Sequence, residues 1–309
     1  KRLKRVEEQA KAAGNVQYDM AAPMVADASA EAADAAAAPP EEPAAEAAPG
    51  ADGITNVQTA GVDEGGIVKK HGDLLIVLRR GRLFTIDTAG GAMRPVAAVD
   101  VFPGENEPDG TWYDEMLVSD DTVIVLGYSY ARNGTEVNRF RLSEGGKLAW
   151  RDTHYLRSGD YYSSRNYASR LIGDKLVFYA PLYLQSKFAD SMPALARWEK
   201  GKVGRFEPFA TATEIYMPEP AWQDDRYSGE VLHSVMICDL GGGDMDCDAN
   251  NVLGGWARNF YVSQDAVYVW TGFGPQWGEG ADENRAMLYR IPLGGQAPQA
   301  VEVAGMPLD

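Results

Sequence analysis

The sequence predicts an all-β fold, a β-propeller with four visible blades and an incomplete ring, on three observations. The first is a hairpin signature that recurs in GGIVKKHGDLLIVL (Gly65 to Leu78), EMLVSDDTVIVLG (Glu115 to Gly127), SRLIGDKLVFYA (Ser169 to Ala180) and NFYVSQDAVYVWTG (Asn259 to Gly272). Each copy is an apolar strand end, a small polar turn that usually carries Asp, and a second apolar strand. The second is their spacing. With Val68, Val118, Ile172 and Val262 taken as equivalent, the copies lie 50, 54 and 90 residues apart, the length of a several-stranded blade with an insertion before the last copy. The third is texture: from Ile54 onward, β-branched and aromatic clusters are separated by Gly, Asn and Asp, with no sustained 3.6-residue amphipathic stretch. A four-stranded blade buries both faces only when neighbours stack on it, so a repeated hairpin favours a propeller over the competing β-sandwich.

Residues 1–20 read as a short helical segment. In KRLKRVEEQAKAAG, Leu3, Val6 and Ala10 share one side, which suits a solvated helix better than a membrane-surface anchor. Residues 21–53 read as a disordered Ala/Pro-rich linker: 15 of the 30 residues from Ala21 to Gly50 are Ala, Pro39, Pro40, Pro43 and Pro49 interrupt any helix, and no aromatic lies between Asp19 and Leu83. Residues 54–309 form the propeller domain. Leu74 to Leu78 and Leu83 to Asp87 pair across Arg79-Arg80-Gly81-Arg82, and Val123 to Tyr130 returns through Asn133-Gly134, whose positive φ suits a hairpin, into Val137 to Leu142. The insertion from Gln185 to Gly229, with Trp198, Phe206, Phe209 and Trp222, is too aromatic for a linker. It is expected to pack over one face, where long ordered loops carry recognition. The last five residues, Gly305 to Asp309, follow an apolar run, Ala300 to Ala304, and offer no closing strand or polar cap, so missing C-terminal blades or exposed edges are expected.

Composition excludes several functions. With 29 basic and 45 acidic residues in 309, the net charge of −16 disfavours nucleic acid and anionic lipid as partners. The longest purely apolar stretch, Val177 to Leu184, is eight residues and contains Pro181, against the roughly 18 to 20 that a membrane-crossing helix needs. Two cysteines make neither a disulfide framework nor a four-thiolate zinc site.

Three segments, ITNVQTAGVDEGGIVKKHGD (Ile54 to Asp73), GTWYDEMLVSDDTVIVLGYSY (Gly110 to Tyr130) and DYYSSRNYASRLIGDKLVFYAPLYL (Asp160 to Leu184), resemble the bacterial and archaeal secreted β-propeller proteins distantly related to WD-repeats. The resemblance spans Ile54 to Asp309 and is most specific from Asn56-Val57-Gln58 through Asp63-Glu64. It implies an exported propeller, often behind a signal or lipoprotein anchor and a low-complexity spacer, longer than the chain in hand and without an assigned activity or transferable catalytic residues.

Candidate site residues follow from position. Asp63, Glu64, Asp114, Glu115, Ser169, Arg170, Arg258 and Asn259 lie just upstream of the four anchors and are expected to line the central channel. There they form a ligand-binding ring or the ordinary water-facing polar lining of such channels, with Asp114, Glu115, Arg170 and Arg258 converging on one axis. Tyr161, Tyr162, Arg165 and Tyr167 form an aromatic and arginine cluster suited to binding or to blade packing. Asp244, Asp246, Asp248 and Asn250 alternate like calcium ligands. However, Ala249 replaces the turn glycine and Gly255 the bidentate Glu of an EF-hand, so a looser calcium site competes with a solvated acidic hairpin loop. Cys238 and Cys247, nine positions apart, are either bridged across a hairpin or two free thiols. His71, His154 and His233 form no metal pair, Gly127-Tyr128-Ser129-Tyr130-Ala131 leads into a hairpin and not the helix of a nucleophile elbow, and no phosphate-binding glycine motif occurs.

These features favour an exported, non-enzymatic propeller that binds a protein, peptide or glycan at the cell envelope without a cofactor, set off from an upstream membrane tether by its spacer. The alternatives are a hydrolase or lyase using channel carboxylates as acid and base, and a calcium-stabilised structural module.

Overall fold

Turn chemistry sets the architecture. In three of the four repeated hairpins the strands close on two-residue loops, His71 opposite Leu74, Ser119 opposite Thr122 and Ile172 opposite Lys175. The first loop residue takes positive φ in each: Gly72 at 54°, Asp120 at 40° and Gly173 at 61°. Such turns match the twist of the strands they join. The fourth hairpin closes on a longer loop, in which Ser263 N–H donates to Ala266 O at 2.9 Å.

The computed structural model describes residues 59, 61–102, 111–159, 168–199, 201–227, 229–241, 243–274 and 285–307, all within the unit Gly53–Asp309. The expected helix at 1–20 and linker at 21–53 lie outside them. After a two-residue strand β1 (Asp63–Glu64) come four antiparallel sheets. Blade 1 is β2 (Val68–His71), β3 (Leu74–Arg79), β4 (Arg82–Asp87) and β5 (Arg94–Asp100); blade 2 is β6 (Thr111–Ser119), β7 (Thr122–Ser129), β8 (Gly134–Leu142) and β9 (Leu148–Arg157). Blade 3 begins with β10 (Ala168–Ile172) and β11 (Lys175–Tyr183), then the chain leaves through β12 (Ala194–Glu199), β13 (Lys202–Val203), β14 (Glu207–Pro208), β15 (Ile215–Tyr216) and one helical turn, α1 (Pro220–Gln223). It returns as β16 (Val231–Asp239) and β17 (Asp246–Gly254), and blade 4 is β18 (Ala257–Val262), β19 (Ala266–Gly272), β20 (Arg285–Pro292) and β21 (Gln299–Ala304).

Strand register departs from expectation in two places. Val118 faces Val123, and its equivalents are Lys70 facing Leu75 and Leu171 facing Leu176, so Val68 and Ile172 are two and one positions out of step. The one-residue offset at Ile172 reverses the face assigned to its side chain, whereas the two-residue offset at Val68 does not. The insertion lies along strand edges instead of over a face: β12 pairs with β9 of blade 2, and β15 runs parallel to β17 of blade 3. The apolar run Ala300 to Ala304 lies in the outer strand of blade 4, paired with β20.

Blade packing uses the two-residue strand period. All of β7 is buried. Val123 and Val125 face blade 1 with Ile76, Leu78 and Leu83, while Ile124 and Leu126 face blade 3 with Leu176 and Phe178. In β11 the alternation repeats: Leu176 and Phe178 face blade 2, and Val177 and Tyr179 face blade 4 with Val267, Val269 and Tyr289.

Ahead of blade 1 the chain forms a strap along the first strands of the other three. Thr59 Oγ1 is 2.6 Å from the Tyr261 hydroxyl on β18. Next, Asp63 and Glu64 pair with Leu171 and Arg170 on β10. Gly66 and Met116 on β6 then exchange both main-chain hydrogen bonds, at 3.2 and 3.0 Å, and Ile67 O accepts from Leu78 N at 2.8 Å in blade 1.

Two further fastenings lie in the polar interior. Arg139 on β8 grips Asp152 on β9, Nε to Oδ1 at 2.7 Å and Nη2 to Oδ2 at 2.5 Å, and reaches Gly243 O in blade 3 at 3.2 Å. Burial alone would raise the Asp152 carboxyl, but the neighbouring His154 ring, 3.4 Å away, and the Arg139 guanidinium outweigh it and hold the group at about 2. Cys238 and Cys247 face one another across β16 and β17, 4.1 Å apart at Cα, and form a disulfide. Reducing it, or replacing both cysteines with Ala, is expected to lower unfolding free energy in urea by about 2–3 kcal/mol, the loop-entropy value for so short a loop. An unchanged denaturation midpoint would contradict a stabilising bridge.

Candidate functional site

Five of the eight expected channel residues meet at the inner edge because the strap brings them there. Lys69, buried at the start of blade 1, donates from Nζ to Asp63 Oδ1 at 2.7 Å and to the main-chain oxygen of Glu64. Glu64 Oε1 lies 3.5 Å from Arg170 Nη2. Glu115, from β6, lies over the strap at Gly65, where an added Cβ would fall 2.0 Å from Glu115 Cγ, so a side chain there would have to displace Glu115. Asp63 and Glu64 therefore do not belong to blade 1, as their position upstream of its anchor suggested; they are strap residues on blade 3.

Loss of solvent pushes the Glu115 carboxyl up to about 7, with Asp114 adding to the rise and Ser169, Arg170 and Lys69 opposing it. The Ser169 hydroxyl is buried and has no hydrogen-bond partner within ordinary geometry, although it is close enough to Glu115 to oppose the shift. Asp114 and Arg258 both sit at β-bulges, between Tyr113 and Glu115 in blade 2 and between Ala257 and Asn259 in blade 4. A bulge re-aims the side chain it inserts. Asp114 is exposed, Asn259 lies opposite Trp270 in blade 4, and the Arg258 side chain is outside the described residues. Convergence of all four named charges on one axis thus reduces to Glu115 with its neighbours Asp114 and Arg170.

The other expected clusters fare differently. Tyr161, Tyr162, Arg165 and Tyr167 lie outside the described residues. Asp246, Asp248 and Asn250 belong to β17, a strand and not a loop, and Asp244 pairs with Arg197 Nη1 at 2.7 Å. Asn250 Nδ2 donates to Pro292 O and Gly294 O in blade 4. Alternation here is the strand period rather than convergence on a cation, and among the described residues no three His, Cys, Asp or Glu side chains lie together as metal ligands. His233 is buried between blades 3 and 4, with Nδ1 2.9 Å from Tyr179 Oη and Nε2 2.8 Å from Gly255 O, and burial lowers it to about 4.

A second cluster was not visible in the sequence. Arg132, in the β7–β8 loop, places its guanidinium 5.8 Å from the Phe102 ring centroid and 5.4 Å from that of Tyr155. Phe102 meets Trp198 of the insertion edge-on at 6.4 Å, and Trp198 meets Trp150 of β9 at 5.8 Å. Beneath them, fully buried Glu136 accepts from Tyr113 Oη at 2.6 Å, Asn138 Nδ2 at 2.7 Å and Tyr155 Oη at 2.9 Å. Trp198 was noted within an aromatic insertion, but Phe102, Arg132 and Trp150 come from separate segments, and only the pairing of β12 with β9 brings the row together.

The inner cluster makes a pH prediction. Glu115 binds its proton more tightly when folded, so between its ordinary 4.5 and about 7 this group's contribution to stability falls as pH rises. His233, shifted from 6.5 down to about 4, contributes the opposite slope, rising with pH over that interval. Glu115→Gln is therefore expected to gain stability relative to the parent between pH 5 and 8, measured by urea titration at each pH. A constant difference across that range would contradict the shifted carboxyl.

Comparison with known proteins follows from this geometry. No curated protein matches the chain. Among solved structures, a protein from Lactobacillus plantarum is similar at 12% identity and a TM-score of 0.29, over 76% of this chain and 69% of that one. The N-terminal domain of Nup159 is similar at 12% identity and 0.30, over 78% of this chain and 48% of that one. The PQQ-bound aldose sugar dehydrogenase from Streptomyces coelicolor is similar at 15% and 0.27, over 77% and 81%. Likenesses at this level carry no functional information. A family model described as Beta propeller domain matches residues 53–309, and the chain belongs to that family.

Proposed function

We propose that this propeller is a non-enzymatic binding module of the cell envelope, taking a protein, peptide or glycan on the outer part of blades 1 and 2. The observation that carries the reading is the aromatic row Phe102, Trp198 and Trp150 beside Arg132, assembled from three segments, with Trp150 exposed. Aromatic rings and Arg supply large contact area with a polar handle and dominate binding energetics where they cluster.

The inner carboxylates favour a scaffold role over a hydrolase or lyase. Asp63 engages Lys69, Glu64 lies beside Arg170, and Glu115 packs on the strap, whereas acid–base catalysis requires a carboxyl within reach of a substrate proton. The disulfide supports an oxidising, extracytoplasmic compartment, and the Ala/Pro stretch at 21–53 suits a spacer from a membrane tether. No helix among the described residues is long and apolar enough to cross a membrane.

The test is saturable binding of the full chain to purified envelope polysaccharide and envelope protein fractions. Trp198→Ala is expected to weaken it by about tenfold or more, the scale of a buried aromatic anchor. Binding lost in Glu115→Gln and retained in Trp198→Ala would move the site to the inner edge and overturn the proposal.

A further inference from the structure

Burial along the second strand of each blade separates the two middle blades from the two outer ones. In blades 2 and 3 it is continuous, from Thr122 to Ser129 in β7 and from Leu176 to Ala180 in β11. In blades 1 and 4 it alternates. Leu74, Ile76 and Leu78 of β3 are buried while Leu75 and Val77 are half-buried, and Val267 and Val269 of β19 are buried while Tyr268 and Trp270 are half-buried. A strand with one wet face ordinarily alternates apolar with polar residues. Leu74 to Leu78 and Ala266 to Trp270 are instead aliphatic or aromatic throughout, as in strands covered on both sides.

Neighbouring strands extend both open faces. Val68 on β2 lies opposite Val77 and is 42% exposed. Val301 on β21 lies opposite Leu288, which itself lies opposite Trp270, and is 55% exposed. The Trp270 indole Nε1 donates to Gly305 O at 3.1 Å, which fixes the ring on its face. Contiguous apolar surface of this kind marks a contact site.

The two open faces are the two halves of one interface that the chain already uses three times. Counted from the turn, the third and fifth residues of each second strand pack on the following blade, and the second and fourth on the preceding one. Ile76 and Leu78 meet Val123 and Val125 in this way, and the same positions meet where blade 2 joins blade 3 and blade 3 joins blade 4. Tyr268 and Trp270 hold the third and fifth positions in blade 4, and Leu75 and Val77 hold the second and fourth in blade 1. A second copy therefore presents the half that each open face lacks. A head-to-tail contact either closes into a ring or runs on as a filament, depending on its rotation. Propellers hold about four to eight blades, so two copies of four sheets fill one ring and a third would exceed it.

We infer that two copies of this chain pair head to tail, with blade 4 of each covering blade 1 of the other in a two-chain ring.

The experiment follows the full chain by sedimentation equilibrium and light scattering at micromolar concentrations, together with Val68→Glu, Val301→Glu and an equimolar mixture of the two variants. The parent is expected to form a particle of twice the chain mass. Each substitution puts an unpaired carboxylate at both junctions of the symmetric pair and is expected to weaken association by about a hundredfold or more. Both sites are exposed in the single chain, so each variant should keep the parent's far-ultraviolet dichroism, which checks the fold. In the mixture, the Val68→Glu copy still offers an intact blade 4 to the intact blade 1 of the Val301→Glu copy, so the mixture should associate more tightly than either variant alone. Loss of pairing in only one of the two variants would mean that like faces meet, and would overturn the inference. A parent that stays single, assemblies that lengthen with concentration, or a mixture no better associated than its components would each overturn it as well.

Discussion

Exchange of main-chain hydrogen bonds between Gly66 and Met116 is the constraint on which the arrangement of blades depends. Blades in a propeller hold one another through apolar faces, and these faces alone fix neither the order nor the tilt of first strands around the inner edge. Here one extended strap touches blade 4 at Tyr261, blade 3 at Arg170 and Leu171, and blade 2 at Met116, before entering blade 1. A segment that is hydrogen-bonded to several blades converts nearest-neighbour stacking into a longer-range coupling, which a simple repeat array lacks. Gly65 leaves room at this close approach to β6 for the Glu115 side chain, which any larger residue there would displace. The same approach strips solvent from the Glu115 carboxyl. Structural closure and the most perturbed inner-edge carboxylate therefore have one cause.

Hairpins were legible because their signals are local. Gly72, Asp120 and Gly173 tolerate the positive φ that two-residue turns demand, and they sit between apolar runs in all three cases. Strands buried on both faces, such as β7, were legible as unbroken apolar runs. The strap was not. Asp63 and Glu64 have low strand preference, and they form a strand only because Leu171 and Arg170, far along the chain, offer an open edge. Alternating acidic residues at Asp244, Asp246 and Asp248 admit two readings, a cation loop or a strand with one wet face, and pairing with β16 selects the strand. Phe102, Trp150 and Trp198 each look ordinary in their own surroundings. Their meeting depends on the insertion adding β12 to the edge of blade 2, which no local pattern announces.

Two kinds of polar constellation thus divide the work of the molecule. At the inner edge, charges are matched to one another across the strap, and in the buried pair Arg139–Asp152 both partners are hydrogen-bonded. Such pairs are costly to break and serve register more than net stability. At the outer edge, Arg132 lies against two rings and 4.0 Å from the buried Glu136 carboxylate.

Whether the strap is integral to the blades can be read from amide hydrogen exchange on the full chain. If it stitches their inner edges, the amides of Gly66 and Met116 exchange as slowly as those of the β6 and β10 strands beside them, and they open in the same cooperative event. Exchange of the Gly66 amide at the rate of a free peptide, with β6 and β10 still protected, would show that the blades stand without it.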